Sequence, residues 1–205
     1  FEGIRQKADQ MTCLAKIEEA LDFIRAKNEK AFSFVRTYTR IIHIRKSPDG
    51  VPSGSSSNLL RNGATVLRGV ELEEINVYDV AEFILHEAIH HCLYIYEILE
   101  KEFVCEHNGL RPMNLAIESP WSANRIAVDS FCHACFVWYG LYNFWHSIDS
   151  NALEVKLKRH VSAEGFLKPV PLSNFLTIHG LGMGRELEEC LLEMQNDVLK
   201  RENIR

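Results

Sequence analysis

His86-Glu87-Ala88-Ile89-His90 is the stretch whose residue types and spacing could do chemistry. Two histidines four residues apart on a helix present both imidazoles from one face, about one turn apart, where they can grip one divalent ion. Glu87 projects beside them and suits either of two tasks: general base on a metal-bound water, or holder of a ligand. Two histidines do not complete a site. A catalytic divalent centre adds a third protein ligand and keeps positions open for water or substrate. A zinc peptidase whose third ligand is a glutamate would need that residue on a later helix, in a Glu-x-x-x-Asp context. Glu97, Glu100, Glu102, Glu106 and Glu118 follow, and none has it. Glu97 and Glu100 fall on the same helix, too close in sequence to fold back onto the metal. The zinc-peptidase pattern that adds a glycine and a third histidine is also absent, because Tyr94, Tyr96 and Glu97 occupy that stretch.

The best third ligand is His133, which lies in an apolar helix flanked by Phe131, Phe136 and Trp138. A buried histidine there needs a partner, and a backbone carbonyl would serve as well as a metal. Asp129, one turn earlier on the same face, is a rival ligand or the acceptor that orients a metal-bound imidazole. Cys132 and Cys135 with His133 make a weaker zinc set, since a helix presents them on differing faces. His91 points away from the pair and is read as an outer partner or an exposed residue.

These residues need elements to position them, and the pattern is mainly helical with a small β-sheet. Apolar groups at helical spacing (Met11, Leu14, Ile17, Leu21, Ile24) predict a helix over 8–38. Ile41, Ile42 and Ile44 read as a short strand, 47–58 as a Ser-rich loop, and Gly63 to Leu67 as a second strand. Asn76, with Asp79 reaching back, predicts a cap for a helix from Val77 to about Lys101. That helix has Val77, Val80, Ala81, Ile84, Leu85 and Ala88 as its apolar face. Residues 105–124, with Gly109, read as irregular. A second apolar helix runs from about Arg125 to Trp145, then a polar connection. Gly180, Gly182 and Gly184 precede a last helix over Leu187–Leu199. The whole is read as a single metalloenzyme domain, 1–205, with an N-terminal helix (8–38), a metal-binding core (40–150) and a C-terminal helical region (151–205).

Composition narrows the class. The chain has 205 residues, 46% hydrophobic and 25% charged, long enough to bury a core without staples. A net charge of −5 argues against nucleic-acid and anionic-membrane partners. No apolar run reaches membrane-spanning length. The six cysteines are spread through helical stretches and read as small buried hydrophobes of a reducing, cytoplasmic compartment. The charged start lacks the apolar stretch of a signal peptide. Because it opens on Phe1 rather than Met, it leaves room for native residues before it, a targeting segment among them.

One further set of residues points to a family. Ser119-Pro120-Trp121, Arg125, His133, Phe136 and Phe144-Trp145, following the two-histidine helix, resemble the HExxH-type peptide β-hydroxylases. Ser55-Ser56-Ser57 and Gly63-Ala64-Thr65 upstream, and Leu176-Thr177 with Gly180 downstream, extend the resemblance over roughly residues 40–200. It implies a non-haem iron(II), 2-oxoglutarate-dependent oxygenase that hydroxylates the β-carbon of a peptide or amino-acid-derived substrate. A leader-binding or carrier protein is one route of delivery. It implies His86, His90 and His133 as iron ligands and Arg125 as the clamp on the 2-oxoglutarate carboxylate, which a planar guanidinium pairs bidentately. Three imidazoles differ from the usual two-His-one-carboxylate set, so Asp129 and Glu87 stay open as the anionic ligand. The competing reading is a zinc metallopeptidase with Glu87 as general base.

Overall fold

Asn28 divides the first predicted helix in two. The computed structural model, which describes residues 1–4, 6–48, 51–100, 103–105, 116–168, 182–183 and 185–203, has α1 over Lys7–Lys27 and α2 over Glu29–Tyr38. The Asn28 N–H still donates to Ile24 O (2.8 Å), closing α1, while its side-chain oxygen accepts from Ala31 N (3.0 Å) and opens α2. Residues Glu102, Glu106, Gly109, Leu176, Thr177, Gly180 and Gly184 lie outside the described ones.

The described residues are mainly helical, with a small mixed sheet of three strands. They form two compact units. One is Phe1–Ile95 with Asn143–Val155; the other is Tyr96–Tyr142 with Lys156–Arg205.

In the first unit, α1 buries Cys13, Ile17, Ala20 and Ile24. This is a stripe offset from the predicted one, and Met11 and Leu14 are exposed. The sheet has β1 (Ile41–Arg45), β2 (Gly54–Ser56) and β3 (Ala64–Arg68) in the order β1-β3-β2. β1 runs parallel to β3 and β2 antiparallel to it, with Ser55 opposite Leu67. β2 corrects the reading of 47–58 as all loop. Three small residues carry no side-chain periodicity, and the strand exists only through its backbone pairing with β3. Gly63, at φ 87, makes the backward bend that starts β3, a conformation few side chains tolerate.

The helix that carries His86 and His90, α3 (Val77–Leu99), starts as predicted. Asn76 accepts from the amides of Tyr78 (2.8 Å) and Asp79 (3.1 Å), and Asp79 accepts from Asn76 N (3.1 Å). Its face of Val80, Ala81, Ile84, Leu85 and Ala88 is buried. In the same unit Trp145 donates to Glu82 (2.9 Å), and Phe23 sets its edge against Tyr78.

The second unit holds β4 (Val104–Cys105) paired with β7 (Gly182–Met183), and a hairpin of β5 (Ala116–Glu118) and β6 (Arg125–Ala127). Three helices follow the hairpin: α4 (Val128–Ser147), α5 (Leu153–Leu167) and α6 (Arg185–Asn203). Arg125 is therefore on a strand, not at a helix start. α5 replaces the predicted polar connection. Its apolar residues split between a buried set (Val155, Ala163, Phe166) and an exposed one (Leu153, Leu157, Val161), which blurs the one-sided stripe that marks a helix in sequence. Tyr142, Ala163, Phe166, Met194 and Val198 form the core here, with Trp121 and Trp138 packed on it. No described helix is long and apolar enough to cross a membrane.

Candidate metal centre

α3 places His86 and His90 on one face, and their Nε2 atoms lie 3.2 Å apart. Two ring nitrogens at that distance share either a proton or a cation. With metal–nitrogen bonds of about 2.1 Å, this separation subtends an angle of ~100° at the ion, between the octahedral and tetrahedral values. The pair therefore fits one divalent metal. Burial pushes the His86 pKa down to about 4, so at neutral pH its imidazole is uncharged and can offer a lone pair. The His90 ring is stacked near Tyr94, with centroids 5.9 Å apart, which holds its plane.

Glu87 is 2% exposed, and its Oε1 accepts a hydrogen bond of 2.6 Å from Ser55 Oγ on β2. The carboxylate between the two ligand positions is thereby fastened to an edge strand of the sheet. Ser55 was legible only as part of a Ser-rich run; nothing in its spacing marked it as a partner of Glu87.

His91 is fully buried rather than exposed. Gly63 N–H donates to its Nδ1 (3.1 Å), so Nδ1 carries the lone pair, and the ring proton sits on Nε2 facing Thr65 Oγ1 at 3.2 Å. The ring works as a strut between α3 and β3. Burial pushes its pKa down, partly offset by the charge of Glu87.

In the second unit His133, 5% exposed, sets its Nε2 2.9 Å from Glu97 Oε2. Burial alone would raise the Glu97 pKa. The hydrogen bond and charge of His133, with the Phe103 amide, outweigh it and hold the carboxyl below its usual range. The acid beside His133 is thus Glu97, far off in sequence, and not Asp129 one turn away. Asp129 instead accepts from Ser130 N at 2.8 Å. Burial pushes up the thiols of Cys132 and Cys135, the latter to about 12, so both are protonated and poor ligands as they stand.

Arg125 is exposed and donates to Ala116 O across its own hairpin (3.2 Å). Ser119-Pro120-Trp121 makes the turn of that hairpin: Ser119 N donates to Asn124 O and Ala123 N to Ser119 O, both at 2.8 Å. The turn delivers Trp121 to the core, where it stacks on Trp138 at 5.8 Å and donates to Ser162 O. Among the described residues no group of three or more histidine, cysteine, aspartate and glutamate side chains is gathered as a metal site. No protein-family model matches the chain, and neither does any curated protein.

Proposed function

We propose that the chain is a non-haem iron(II), 2-oxoglutarate-dependent oxygenase that hydroxylates the β-carbon of a peptide or amino-acid-derived substrate. The observation that carries this reading is the His86/His90 pair, two imidazoles 3.2 Å apart at Nε2 with His86 uncharged at neutral pH. The resemblance adds His133 as the third ligand and Arg125 as the 2-oxoglutarate clamp. When bound, iron(II) and 2-oxoglutarate supply oxidative chemistry: one C–H becomes C–OH, dioxygen is consumed, and 2-oxoglutarate leaves as succinate and carbon dioxide.

The chain's own residues do the rest. His86 and His90 would hold the ion through uncharged ring nitrogens that α3 presents from one face. A guanidinium at position 125 suits the distal carboxylate of a 2-oxo acid, because its planar fork matches two oxygens. Glu87 is engaged by Ser55, which fits a supporting role better than that of a base free to activate water. A reducing, cytoplasmic setting agrees with the free thiols of Cys13, Cys92, Cys132, Cys135 and Cys190.

The test is anaerobic reconstitution with iron(II) and 2-oxoglutarate. The oxygenase reading expects the weak visible charge-transfer band of the chelate, lost in His90→Ala. Absence of the band, together with stoichiometric zinc in the purified protein, would sink it in favour of a zinc metallopeptidase.

A further inference from the structure

β2 is one of the two edge strands of its sheet, β1 being the other. β3 pairs with one side of β2, and among the described residues no strand pairs with the other side. In an antiparallel ladder the N–H and C=O of one residue point the same way, and successive residues alternate between facing the partner and facing outward. Within Gly54–Ser56, either Ser55 or both of its neighbours must therefore turn a donor and an acceptor outward. Open edges are normally blunted by shortness, lysine, proline or a bulge. This one is limited only by its three-residue length and reads Gly-Ser-Ser, with no charge, no proline and no large side chain. It also adjoins the chemistry, since Ser55 is bonded to Glu87, the residue next to His86.

We propose that the open edge of β2 seats the peptide substrate, whose extended backbone adds to the sheet as a further strand beside the His86/His90 pair. The chemistry of the edge selects the occupant. Alternating N–H and C=O groups without charge or an apolar pocket match another extended polypeptide backbone and little else. Backbone pairing tolerates most sequences, so the edge fixes the line of the chain past the metal helix, and side chains elsewhere choose which peptide. Three residues make few hydrogen bonds, so this contact alone binds on the order of millimolar. That the occupant is the substrate rests on the oxygenase reading; that it is a peptide backbone does not.

The experiment uses the full chain, nitrogen-15 labelled and free of metal and 2-oxoglutarate. The probe is a blocked hexapeptide, acetyl-Thr-Val-Lys-Val-Thr-Val-amide, titrated to several times that millimolar affinity. Backbone pairing predicts shifts centred on Gly54–Ser56. It also predicts hydrogen exchange slowed several-fold at the outward amides, in step with the fraction of chain bound. The same peptide N-methylated at alternate residues should do neither. Three results would overturn the proposal: unchanged β2 amides at the highest probe concentration, an equal response to the N-methylated peptide, or β2 amides already protected in the free chain because a second copy covers them. A missing iron charge-transfer band would sink the oxygenase reading and leave this result standing, so the two fail separately.

Discussion

Ser55 Oγ and Glu87 Oε1 lie 2.6 Å apart, joining an edge strand of the sheet to the one carboxylate between the two histidines of α3. The carboxylate is 2% exposed, so loss of its donor leaves a buried acceptor short of a partner. Ser55→Ala should lower the free energy of unfolding by about 1–3 kcal/mol, read from urea titration. Glu87→Gln keeps an acceptor oxygen for Ser55 and should cost less than Glu87→Ala. Equal losses in the two Glu87 variants would show that the bond has little weight.

The histidine pair makes the next prediction. His86→Ala and His90→Ala should each weaken divalent-metal binding by more than the ~10–100-fold typical of losing an outer partner. The fold should persist in both, because the sheet is held to α3 by His91. Metal content after dialysis and far-ultraviolet circular dichroism read the two effects. Retained stoichiometric metal in either variant would exclude that histidine as a ligand.

His91 carries a pH dependence whose sign follows from its two bonds. Its folded pKa is depressed, and protonation would set a ring N–H against the Gly63 N–H. The unfolded chain takes up that proton near pH ~6.5, while the folded chain resists it. Stability of the metal-free protein is thus full above that pH and falls as the pH drops through it. His86, also depressed, adds to the same trend. Replacing His91 by Gln should destabilise the protein at pH 8 and flatten the loss between pH 7 and 5. A variant with the parent's full slope would refute the assignment.

Glu97 and His133 separate two roles. If His133 is a metal ligand, as the resemblance implies, His133→Ala should lower bound iron, while Glu97→Gln, which keeps a side chain able to hydrogen-bond the ring, should lower it less. Unchanged iron in His133→Ala would remove the histidine from the set of metal ligands.

Gly165 tests the packing of the second unit. A Cβ there would run into the indole of Trp121, which is already stacked on Trp138. Gly165→Ala should destabilise by about 1–3 kcal/mol and change the tryptophan fluorescence, because the ring has to shift. Parent-like stability and emission would mean that the indole sits elsewhere in solution.

The sequence by itself determined the parts whose information is local. The Asn76 cap, the apolar face of α3 and the spacing of His86 and His90 each depend on residues within one or two turns. Helical periodicity alone therefore brings the two imidazoles together. β1 and β3 are legible in the same way, because β-branched residues signal strand without knowledge of a partner. A role set from far along the chain is not. β2 is a strand only because β3 offers it a ladder. Ser55 reaches Glu87 across 32 positions, His91 reaches Gly63 across 28 and His133 reaches Glu97 across 36. Tertiary structure alone decided these, because a hydrogen bond between distant residues leaves no periodic trace. One serine, one histidine and one glutamate acquire their roles only when packing sets a donor opposite an acceptor in a place that water has left.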